Sequence, residues 1–382
     1  MKNIVLLVWF ALLVTNGLNL KAQNTAVYAS PHPDDWQLFY NPNISSSILN
    51  DKDTVIILHT TAGDAGAAMG RNNYALAREE GSLRGMRFIV NSSRTSEFES
   101  PSVENITVNN HSIRIVRYKN AIAVFLRLPD GGGGGGYEST GHQSLQRFYR
   151  GEISTITAVD NSTTYSSLDD LKTTIQQLIV RYSQKAKKVG INVPDTDTSI
   201  NPGDHRDHRH TSLIMQELAS GIANAEVRLY QMYVTRNRAA NLSGNDYYIN
   251  AGTWAATTSG LGDMFHSTTW DNTHNSWVDK QYFRMKSSTN TSKAAAVEPV
   301  LNLEKTKLLA NEVLNVAIEE LTDKLELTIF TIDGAIFYSK EIDAQKGTVE
   351  VEIPLNDLKP GNYSLIARYN KHYFTYPFTI TQ

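Results

Sequence analysis

Residues 27–35 read VYASPHPDD, and this stretch decides how the rest of the chain is interpreted. Its first residues have the apolar character of a short β-strand, which we predict over residues 26–30. His32 and Asp35 lie three residues apart, so a turn that opens a helix would point both side chains the same way. An imidazole and a carboxylate are both ligands of zinc. The stretch therefore predicts a strand that ends in two ligands of a metal site.

A possible third ligand lies far downstream, where residues 203–208 read GDHRDH. His208 would complete three protein ligands and leave one position open for water, as in catalytic zinc sites. Each motif has a simpler explanation when taken alone. A His-x-x-His pair is often only the polar start of a helix, and adjacent aspartates are favoured at a helix N-terminus by the helix dipole.

The composition is that of an ordinary globular protein of 382 residues, with 41% hydrophobic and 20% charged residues. This length allows a large core and two or three domains. A formal net charge of −3 and the lack of a long basic run argue against a nucleic-acid partner. The chain has no cysteine, so disulfides are excluded and any metal site must use His, Asp or Glu.

The N-terminus has the layout of a secretory signal peptide, which we predict over residues 1–22. Lys2 precedes an apolar stretch of about 11 residues, and cleavage is expected after Ala22. The alternative is a membrane anchor, but spanning a bilayer takes roughly 20 apolar residues. We therefore expect a secreted or cell-surface protein with no stable membrane span once the signal is removed.

Residues 23–286 alternate Val- and Ile-rich runs with helical patterns, which is typical of βα units around a mostly parallel sheet. The predicted strands are residues 26–30, 53–61, 112–118, 121–128 and 226–234. Helices are predicted over residues 73–90, where Gly81 and Gly85 weaken the pattern, and over residues 167–188. Lysines at the end of the second helix suit its dipole. The expected fold is α/β and Rossmann-like, with helices that flank the sheet.

Six consecutive glycines, residues 131–136, follow the predicted strand at 121–128. A phosphate-binding loop would need a lysine and a hydroxyl after the glycines, and Tyr137 and Glu138 supply neither. We expect a flexible surface loop. The alternative is a rim of the active site, because loops after strand ends are where α/β proteins place their sites.

The chain changes character after residue 286. Residues 287–298 are rich in Ser, Thr, Asn, Lys and Ala and predict a linker. Residues 299–382 contain short β-patterned runs separated by turn residues, which predict a small β-sandwich. The predicted strands are residues 313–318, 325–331, 335–342, 347–353 and 363–369. This region contains no catalytic constellation.

The HPDD motif resembles the LmbE/PIG-L family of zinc-dependent deacetylases, which remove acetyl groups from molecules that contain N-acetylglucosamine. The resemblance covers roughly residues 25–236, and several segments carry it in the family's order. These segments are residues 32–35 (HPDD), 61–66 (TAGDAG), Arg78 with its acidic neighbours, 128–131 (LPDG) and 205–208 (HRDH).

The resemblance implies a role for each residue of the site. His32, Asp35 and His208 would bind Zn²⁺. Asp34 would be the general base that takes a proton from the metal-bound water, and His205 would stabilise the oxyanion or protonate the leaving amine. These roles match the needs of amide hydrolysis, which requires an activated water, charge stabilisation and a proton for the nitrogen.

Neighbouring residues receive supporting roles. We expect Asp207 to orient a ligand histidine, because metal-bound imidazoles usually donate their other nitrogen to an acceptor. Arg78 is expected to be a buried ion-pair partner rather than a substrate contact, and His210 a rim or surface residue. Many family members have a glutamate after the two aspartates, whereas this chain has Trp36 and Gln37. A carboxylate near the substrate is thereby replaced by a large aromatic surface, which would alter specificity. Trp36 could line a pocket for a longer acyl chain or stack on a sugar.

The C-terminal region resembles the sorting domains of the type IX secretion system of Bacteroidetes. The resemblance rests on residues 315–316 (NV), 330–334 (FTIDG) and 358–363 (LKPGNY), although the basic tail common in such domains is missing. It implies the secretion machinery as a partner. The alternative is an accessory or carbohydrate-binding sandwich.

Together these features predict a secreted zinc hydrolase that removes N-acetyl groups from an amino sugar or a glycoconjugate. Two alternatives remain. The zinc site could cleave a longer N-acyl chain from a glycopeptide or lipid, or the protein could be an exported glycan-binding protein without turnover.

Overall fold

The computed structural model describes residues 23–69, 74–92, 100–286, 300–319, 321, 324–330, 336–344, 347–369 and 372–382. The predicted signal peptide and the predicted linker lie outside these ranges.

An eight-stranded sheet dominates the first part of the chain, in the order β10-β9-β8-β1-β2-β5-β4-β3. Its strands are β1 (Gln23–Ser30), β2 (Thr54–Thr61), β3 (Ser102–Val108), β4 (His111–Tyr118), β5 (Ala121–Leu128), β8 (Ala186–Pro194), β9 (Ala225–Tyr230) and β10 (Phe283–Met285). The short strands β6 (Ile156–Thr157) and β7 (Thr164–Tyr165) form a separate hairpin. All five strands predicted for this part are present.

The five central strands β9, β8, β1, β2 and β5 run parallel, and the outer strands are antiparallel to their neighbours. The mostly parallel α/β sheet predicted from the sequence is therefore confirmed. The chain leaves β1 toward β2 and later returns to β8 on the other side of β1. The order thus reverses between β1 and β8, which is where open α/β sheets place their ligand sites, at the carboxyl ends of the strands.

Helices cover both faces of this sheet. They are α1 (Asn43–Leu49), α2 (Tyr74–Ser92), α3 (Leu145–Tyr149), α4 (Leu168–Ser183), α5 (Arg206–Ala219), α6 (Gly244–Asp263) and α7 (Asn272–Asn275). Side chains alternate along β1, so Val27 packs on the face of α4 and α5 while Tyr28 packs on the face of α2. Within the described ranges, no helix combines the length and apolar composition needed to cross a bilayer.

The glycines that weaken the helix prediction at residues 73–90 have a packing role. A Cβ atom at Gly81 would lie 2.7 Å from the carbonyl oxygen of Thr257, and one at Gly260 would lie 2.6 Å from the Cα of Gly81. The glycines therefore allow α2 and α6 to pack with their backbones in close contact. This contact compensates for the low helix propensity of glycine.

Two boundary predictions are wrong. The helix predicted to end at Lys188 ends at Ser183, and β8 begins at Ala186 because the alternating residues Val189, Ile191 and Val193 form a strand next to β1. The strand predicted over residues 226–234 stops at Tyr230, and a 3₁₀ helix follows over Tyr233–Asn237.

The C-terminal region is rich in β-structure. A three-stranded sheet has the order β11-β13-β16 and a five-stranded sheet the order β12-β18-β17-β14-β15. The strands are β11 (Val300–Leu303), β12 (Lys307–Leu309), β13 (Val313–Glu319), β14 (Leu325–Phe330), β15 (Ile336–Ile342), β16 (Val349–Pro354), β17 (Gly361–Tyr369) and β18 (His372–Thr381). All five predicted strands are present, and β11, β12 and β18 were not predicted. Both sheets contribute to one apolar cluster that includes Leu314 and Leu365.

Candidate metal centre

The three predicted metal ligands converge at the point where the strand order reverses. The Nδ1 atom of His32 lies 3.2 Å from Oδ2 of Asp35 and 3.3 Å from Nε2 of His208. The Nε2 atom of His208 lies 3.2 Å from Oδ1 of Asp35. All three residues are buried. These atoms could hold a metal ion.

The turn after β1 positions the first two ligands. The strand ends at Ser30, whose Oγ donates a hydrogen bond to the carbonyl oxygen of His32 at 2.5 Å. The backbone N–H of His32 donates to Oδ2 of Asp35 at 2.7 Å. A π-helix over Trp36–Tyr40 follows directly. The predicted turn into a helix is therefore present, and it holds His32 and Asp35 against each other.

His208 is oriented by a carboxylate that sequence reasoning missed. Its Nδ1 atom lies 2.7 Å from Oδ1 of Asp204, which leaves Nε2 to face Asp35. Asp204 in turn accepts a hydrogen bond from the side-chain amide of Asn201 at 2.8 Å. Such an acceptor fixes the ring orientation of a metal-ligating histidine. The signal was the four-residue spacing of Asp204 and His208.

Asp207 contacts His32 rather than the neighbouring His208. Its Oδ2 atom lies 3.4 Å from Nε2 of His32 and accepts a hydrogen bond from the backbone N–H of Gly131 at 2.9 Å. A Cβ atom at Gly131 would lie 2.6 Å from Oδ1 of Asp207. The glycine run thus begins against the candidate site, and Gly134 donates a backbone hydrogen bond to Gly131 within a turn.

A second group of possible ligands shares His32. It comprises His32, Asp130, His205 and Asp207. Its contacts are longer, since Nε2 of His32 lies 4.0 Å from Asp130 and Nε2 of His205 lies 3.8 Å from Asp130. Asp207 is also engaged by Gly131. We therefore favour the tighter group of His32, Asp35 and His208 as the metal site.

The adjacent residues Asp34 and Asp35 have different partners. Asp35 lies within the candidate ligand group, whereas Asp34 forms an ion pair with the guanidinium of Arg78 through Oδ1. Arg78 also donates to the carbonyl oxygen of Gly63 at 2.5 Å. The TAGDAG segment is connected further, because Asp64 accepts the backbone N–H of Asp130 at 2.9 Å. These contacts join four of the segments that suggested a family.

His205 lies at the N-cap of α5, beside the ring of His32 at a centroid distance of 4.6 Å. Its Nδ1 atom accepts a hydrogen bond from the backbone N–H of Asp207 at 3.1 Å, so the proton of the neutral ring is on Nε2. Burial, together with the nearby rings of His32 and His208, lowers the pKa of His205 to about 4. The ring is therefore neutral at pH 7 and can donate a hydrogen bond from Nε2.

Charges within the ligand group shift the other pKa values in opposite directions. Burial opposes the charge on His208, but the carboxylates of Asp204 and Asp35 outweigh it and raise the pKa of His208 to about 10. Burial likewise opposes the charge on Asp35, yet His208 and His32 lower the pKa of its carboxyl group well below the usual value. The group therefore favours a positive charge at its centre, which is the property that a metal site requires.

Aromatic side chains form one wall of the site. The ring of Tyr233 lies 5.0 Å from that of His208 and stacks on Trp277 at 5.4 Å, measured between centroids. The indole N–H of Trp277 donates to the carbonyl oxygen of Tyr233 at 3.2 Å. Phe39 packs edge-on against Trp277. Sequence reasoning did not find Tyr233 or Trp277, because neither belongs to a motif.

Two predictions about neighbouring residues are wrong. Trp36 does not line a pocket: it is fully buried in the core, where its indole N–H donates to Oγ of Ser82 at 2.8 Å. His210 is not a rim residue, since it is only 3% exposed and packs edge-on against Tyr149. The Nδ1 atom of His210 lies 2.7 Å from the carbonyl oxygen of Arg206, within its own helix.

Comparison with known proteins did not identify a family for this chain. Neither the models of protein families nor the curated protein sequences contained a match. Among solved structures, an uncharacterized protein from Bacillus anthracis is 14% identical over 21% of this chain and 80% of its own, with a TM-score of 0.18. An endo-beta-1,4-mannanase double mutant from Cellulomonas fimi is 8% identical over 95% of this chain and 94% of its own, with a TM-score of 0.17. Similarities this weak support no conclusion about fold or function.

Proposed function

We propose that the protein is an exported zinc-dependent hydrolase of the LmbE/PIG-L type. It would remove N-acetyl groups from an amino sugar or from a glycoconjugate that contains N-acetylglucosamine. The observation that carries the proposal is the convergence of His32, Asp35 and His208 within 3.3 Å of one another, with His205 beside them. The motif resemblance supplies the reaction and the substrate class.

The donor set fits zinc. Two neutral imidazoles and one carboxylate are ligands that Zn²⁺ accepts, and three protein ligands are typical of catalytic rather than structural zinc sites. Asp204 would bind Nδ1 of His208 and Asp207 would bind Nε2 of His32, in each case the ring nitrogen that does not bind the metal. When bound, the metal would act as a Lewis acid on the amide carbonyl and would lower the pKa of a water to about 7.

The remaining residues would transfer protons and stabilise the developing negative charge. In this proposal Asp34 accepts a proton from the attacking water, and its ion pair with Arg78 through Oδ1 fixes its orientation and leaves Oδ2 for that proton. His205 donates a hydrogen bond from Nε2 to the oxygen of the amide as negative charge develops there. The carboxyl group of Asp34, which then carries the proton taken from the water, passes it to the departing amine.

We also propose a Rossmann-like α/β fold and a C-terminal β-sandwich. The central order β9-β8-β1-β2-β5, with its reversal beside β1, supports a Rossmann-like arrangement. The two C-terminal sheets share one apolar cluster, which supports a β-sandwich.

We propose that the C-terminal region directs the enzyme across the outer membrane. Deleting residues 299–382 and locating the enzyme by cell fractionation tests this role, since unchanged export would refute it.

The function is tested by acetate release. Metal-free protein and protein reloaded with Zn²⁺ are incubated with N-acetylglucosamine, its oligosaccharides and matched amides that carry longer acyl chains. The proposal expects acetate only from the zinc-loaded protein and only from the acetylated compounds. Release of longer acids would instead indicate an N-acyl amidase, and binding without any release would indicate a glycan-binding protein. Equal activity in the metal-free preparation would refute the metal mechanism.

A further inference from the structure

A cavity of about 400 Å³ borders the candidate metal centre, next to the loop that follows β5. Its volume is within the range of sites that bind small molecules. Pro129 lines the cavity and directly precedes Asp130, whose Oδ2 atom lies 4.0 Å from Nε2 of His32. Ala68, which also lines it, donates its backbone N–H to Asp64, and Asp64 accepts the backbone N–H of Asp130. The loops that place Asp130 beside the metal centre therefore also form the cavity.

The two loops are joined at the glycine run. The hydroxyl of Ser139 donates a hydrogen bond to the carbonyl oxygen of Gly66 at 2.5 Å. A Cβ atom at Gly66 would lie 2.6 Å from the ring of Tyr137, and one at Gly132 would lie 2.9 Å from its hydroxyl oxygen. Both glycines have positive φ, at +75° and +52°, so side chains are disfavoured there for two reasons. The wall of the cavity is therefore fixed by contacts between the loops.

The lining of the cavity combines neutral polar groups with apolar surface. Its polar residues are Ser139, Thr140, Gln143, Thr157 and Asn161. Pro129 and Val159 add apolar surface. Among the described residues, none that lines the cavity is ionisable. A charged ligand would lose hydration there without gaining an ionic partner, so the cavity suits an uncharged ligand.

The polar side chains offer a ligand both donors and acceptors. Oε1 of Gln143 accepts the backbone N–H of Thr157 at 2.7 Å, so the NH₂ group of Gln143 can donate. The hydroxyl of Thr140 donates to the carbonyl oxygen of Tyr137 at 3.1 Å, so its lone pairs can accept. Asn161 is exposed and adds an amide with both functions. A sugar carries hydroxyl groups that donate and accept beside C–H faces that pack on apolar side chains, so it matches this lining.

We propose that the cavity binds an uncharged sugar unit that neighbours the N-acetylated one. The substrate is then an oligosaccharide or a longer glycan rather than a free amino sugar. This inference rests on the proposed function, because the metal centre defines which unit loses its acetyl group. Pro129 and Asp130 connect the two places, so one glycan occupies both. Binding energy from the second unit raises kcat/KM for the glycan above that for the single sugar.

The test compares N-acetylglucosamine with its β-1,4-linked dimer and trimer. Calorimetric titrations use zinc-loaded Asp34→Asn protein, in which slow turnover leaves binding to be measured, and acetate release is followed with the zinc-loaded wild type. The dimer or trimer should bind at least about tenfold more tightly than the single sugar, because several hydrogen bonds are added. A dimer with a uronic acid as the neighbouring unit should bind more weakly than the uncharged dimer.

Two substitutions in the same Asp34→Asn protein test the cavity itself. Asn161→Ala removes one side-chain amide, and Gln143→Glu keeps the acceptor for Thr157 but loses the donating NH₂ group. Each should weaken binding of the dimer about threefold to tenfold and leave binding of the single sugar unchanged. Asn110→Ala is the matched control, because Asn110 is also exposed with positive φ but lies outside the cavity. It should change neither affinity.

Thermal unfolding shows that each variant is folded. Equal affinity for the single sugar and its longer forms, or unchanged binding of the dimer in both cavity variants, would overturn the proposal. A loss of affinity in Asn110→Ala equal to that in Asn161→Ala would overturn it as well. Failure of the proposed function is a different result: the zinc-loaded wild type then releases no acetate from any of these compounds, while calorimetry still decides whether the cavity binds the second sugar unit.

Discussion

The α/β part of the chain, residues 23–286, and the C-terminal β region, residues 300–382, bury different kinds of side chain. In the first part, ionisable residues such as His32, Asp35, Asp207 and His208 are at most 3% exposed. In the described residues of the second, the buried polar side chains are Thr328 and Ser364, and the rest of the core is aliphatic or aromatic. Both parts are otherwise built on apolar sheet faces.

This difference indicates which part of the molecule would carry the proposed chemistry. Burying an ionisable group costs free energy unless the group is paired. Buried ionisable groups with perturbed pKa values therefore occur mainly at functional sites. The α/β part concentrates such groups at one edge of one sheet, beside the strand reversal. The C-terminal region has no such concentration among its described residues, so its core is expected to serve stability and its surface to serve any interaction.

The largest effect is expected from Asp34→Asn. Loss of the proposed general base should lower kcat about 10²–10⁴-fold, while zinc affinity stays unchanged because Asp34 is outside the candidate ligand group. Acetate-release kinetics and metal analysis measure the two quantities. Asp263→Asn, an exposed aspartate on α6, is the control and should behave as wild type. Loss of zinc from Asp34→Asn would show that the roles of the two aspartates are wrongly divided.

In the C-terminal region, Leu365→Ala should reduce stability without affecting the metal centre. Leu365 is fully buried, and removing its side chain should cost about 2–5 kcal/mol. Denaturant unfolding followed by zinc titration of the folded variant tests both parts. Ile336→Ala, at a position that is half exposed, should cost much less. A weaker zinc affinity in Leu365→Ala would contradict the conclusion that the core of the C-terminal region serves stability and not the metal centre.

Asp204→Ala tests the carboxylate behind His208. Without this acceptor the ring loses its fixed orientation, and zinc affinity should fall about 10–100-fold. The matched control is Asp197→Ala, which removes an exposed carboxylate from the same loop. Competition with a zinc chelator gives the affinities. Equal zinc affinities in the two variants would show that Asp204 does not orient His208 for metal binding.

Zinc affinity should also fall with decreasing pH. The pKa of His208 is raised to about 10 in the protein without metal, so at pH 7 a proton must leave before this ring can bind zinc. Burial opposes the charge on His32 as well, but Asp35 and Asp207 outweigh it and raise the pKa of this second ligand well above its usual value. At least one proton is therefore displaced at pH 7, and affinity should fall at least about tenfold for each pH unit below 7. Calorimetry in buffers of different ionisation enthalpy counts the released protons. A pH-independent affinity would contradict the assignment of His208.

The smallest effect is expected at the glycine run. Gly131→Ala places a Cβ atom against Asp207, so Asp207 or the loop must shift, and we expect a loss of about 1–3 kcal/mol in stability with a modest loss of zinc affinity. Gly133→Ala is the control, because nothing lies within 4 Å of its added Cβ. Thermal unfolding compares the two. Identical behaviour would show that the contact between Gly131 and Asp207 is not part of the site.

Much of the α/β sheet could be predicted because its strands are short apolar runs with clear limits. The strand β8 could not, since it follows α4 after two residues and its first lysines resemble the end of a helix. The helix α6 was missed because it is rich in Gly, Thr and Tyr, and it is stabilised by close contact with the glycines of α2. Both cases depend on contacts between segments distant in sequence.

The candidate ligands could be predicted because each lies in a short motif. Asp204 and the aromatic wall of Tyr233 and Trp277 could not, since their roles come from folding alone. Trp36 was misjudged for the same reason. A large aromatic residue beside a metal motif can face either the substrate or the core, and only the packing of the π-helix against α2 decides that it faces the core.

The central claim is that His32, Asp35 and His208 form one metal site. The most direct test is a calorimetric titration of zinc into metal-free wild-type protein and into the His208→Ala variant, with circular dichroism to show that both are folded. We predict one tight site in the wild type and its loss in His208→Ala. Absence of binding in the folded wild type, or an unchanged tight site in His208→Ala, would contradict the claim.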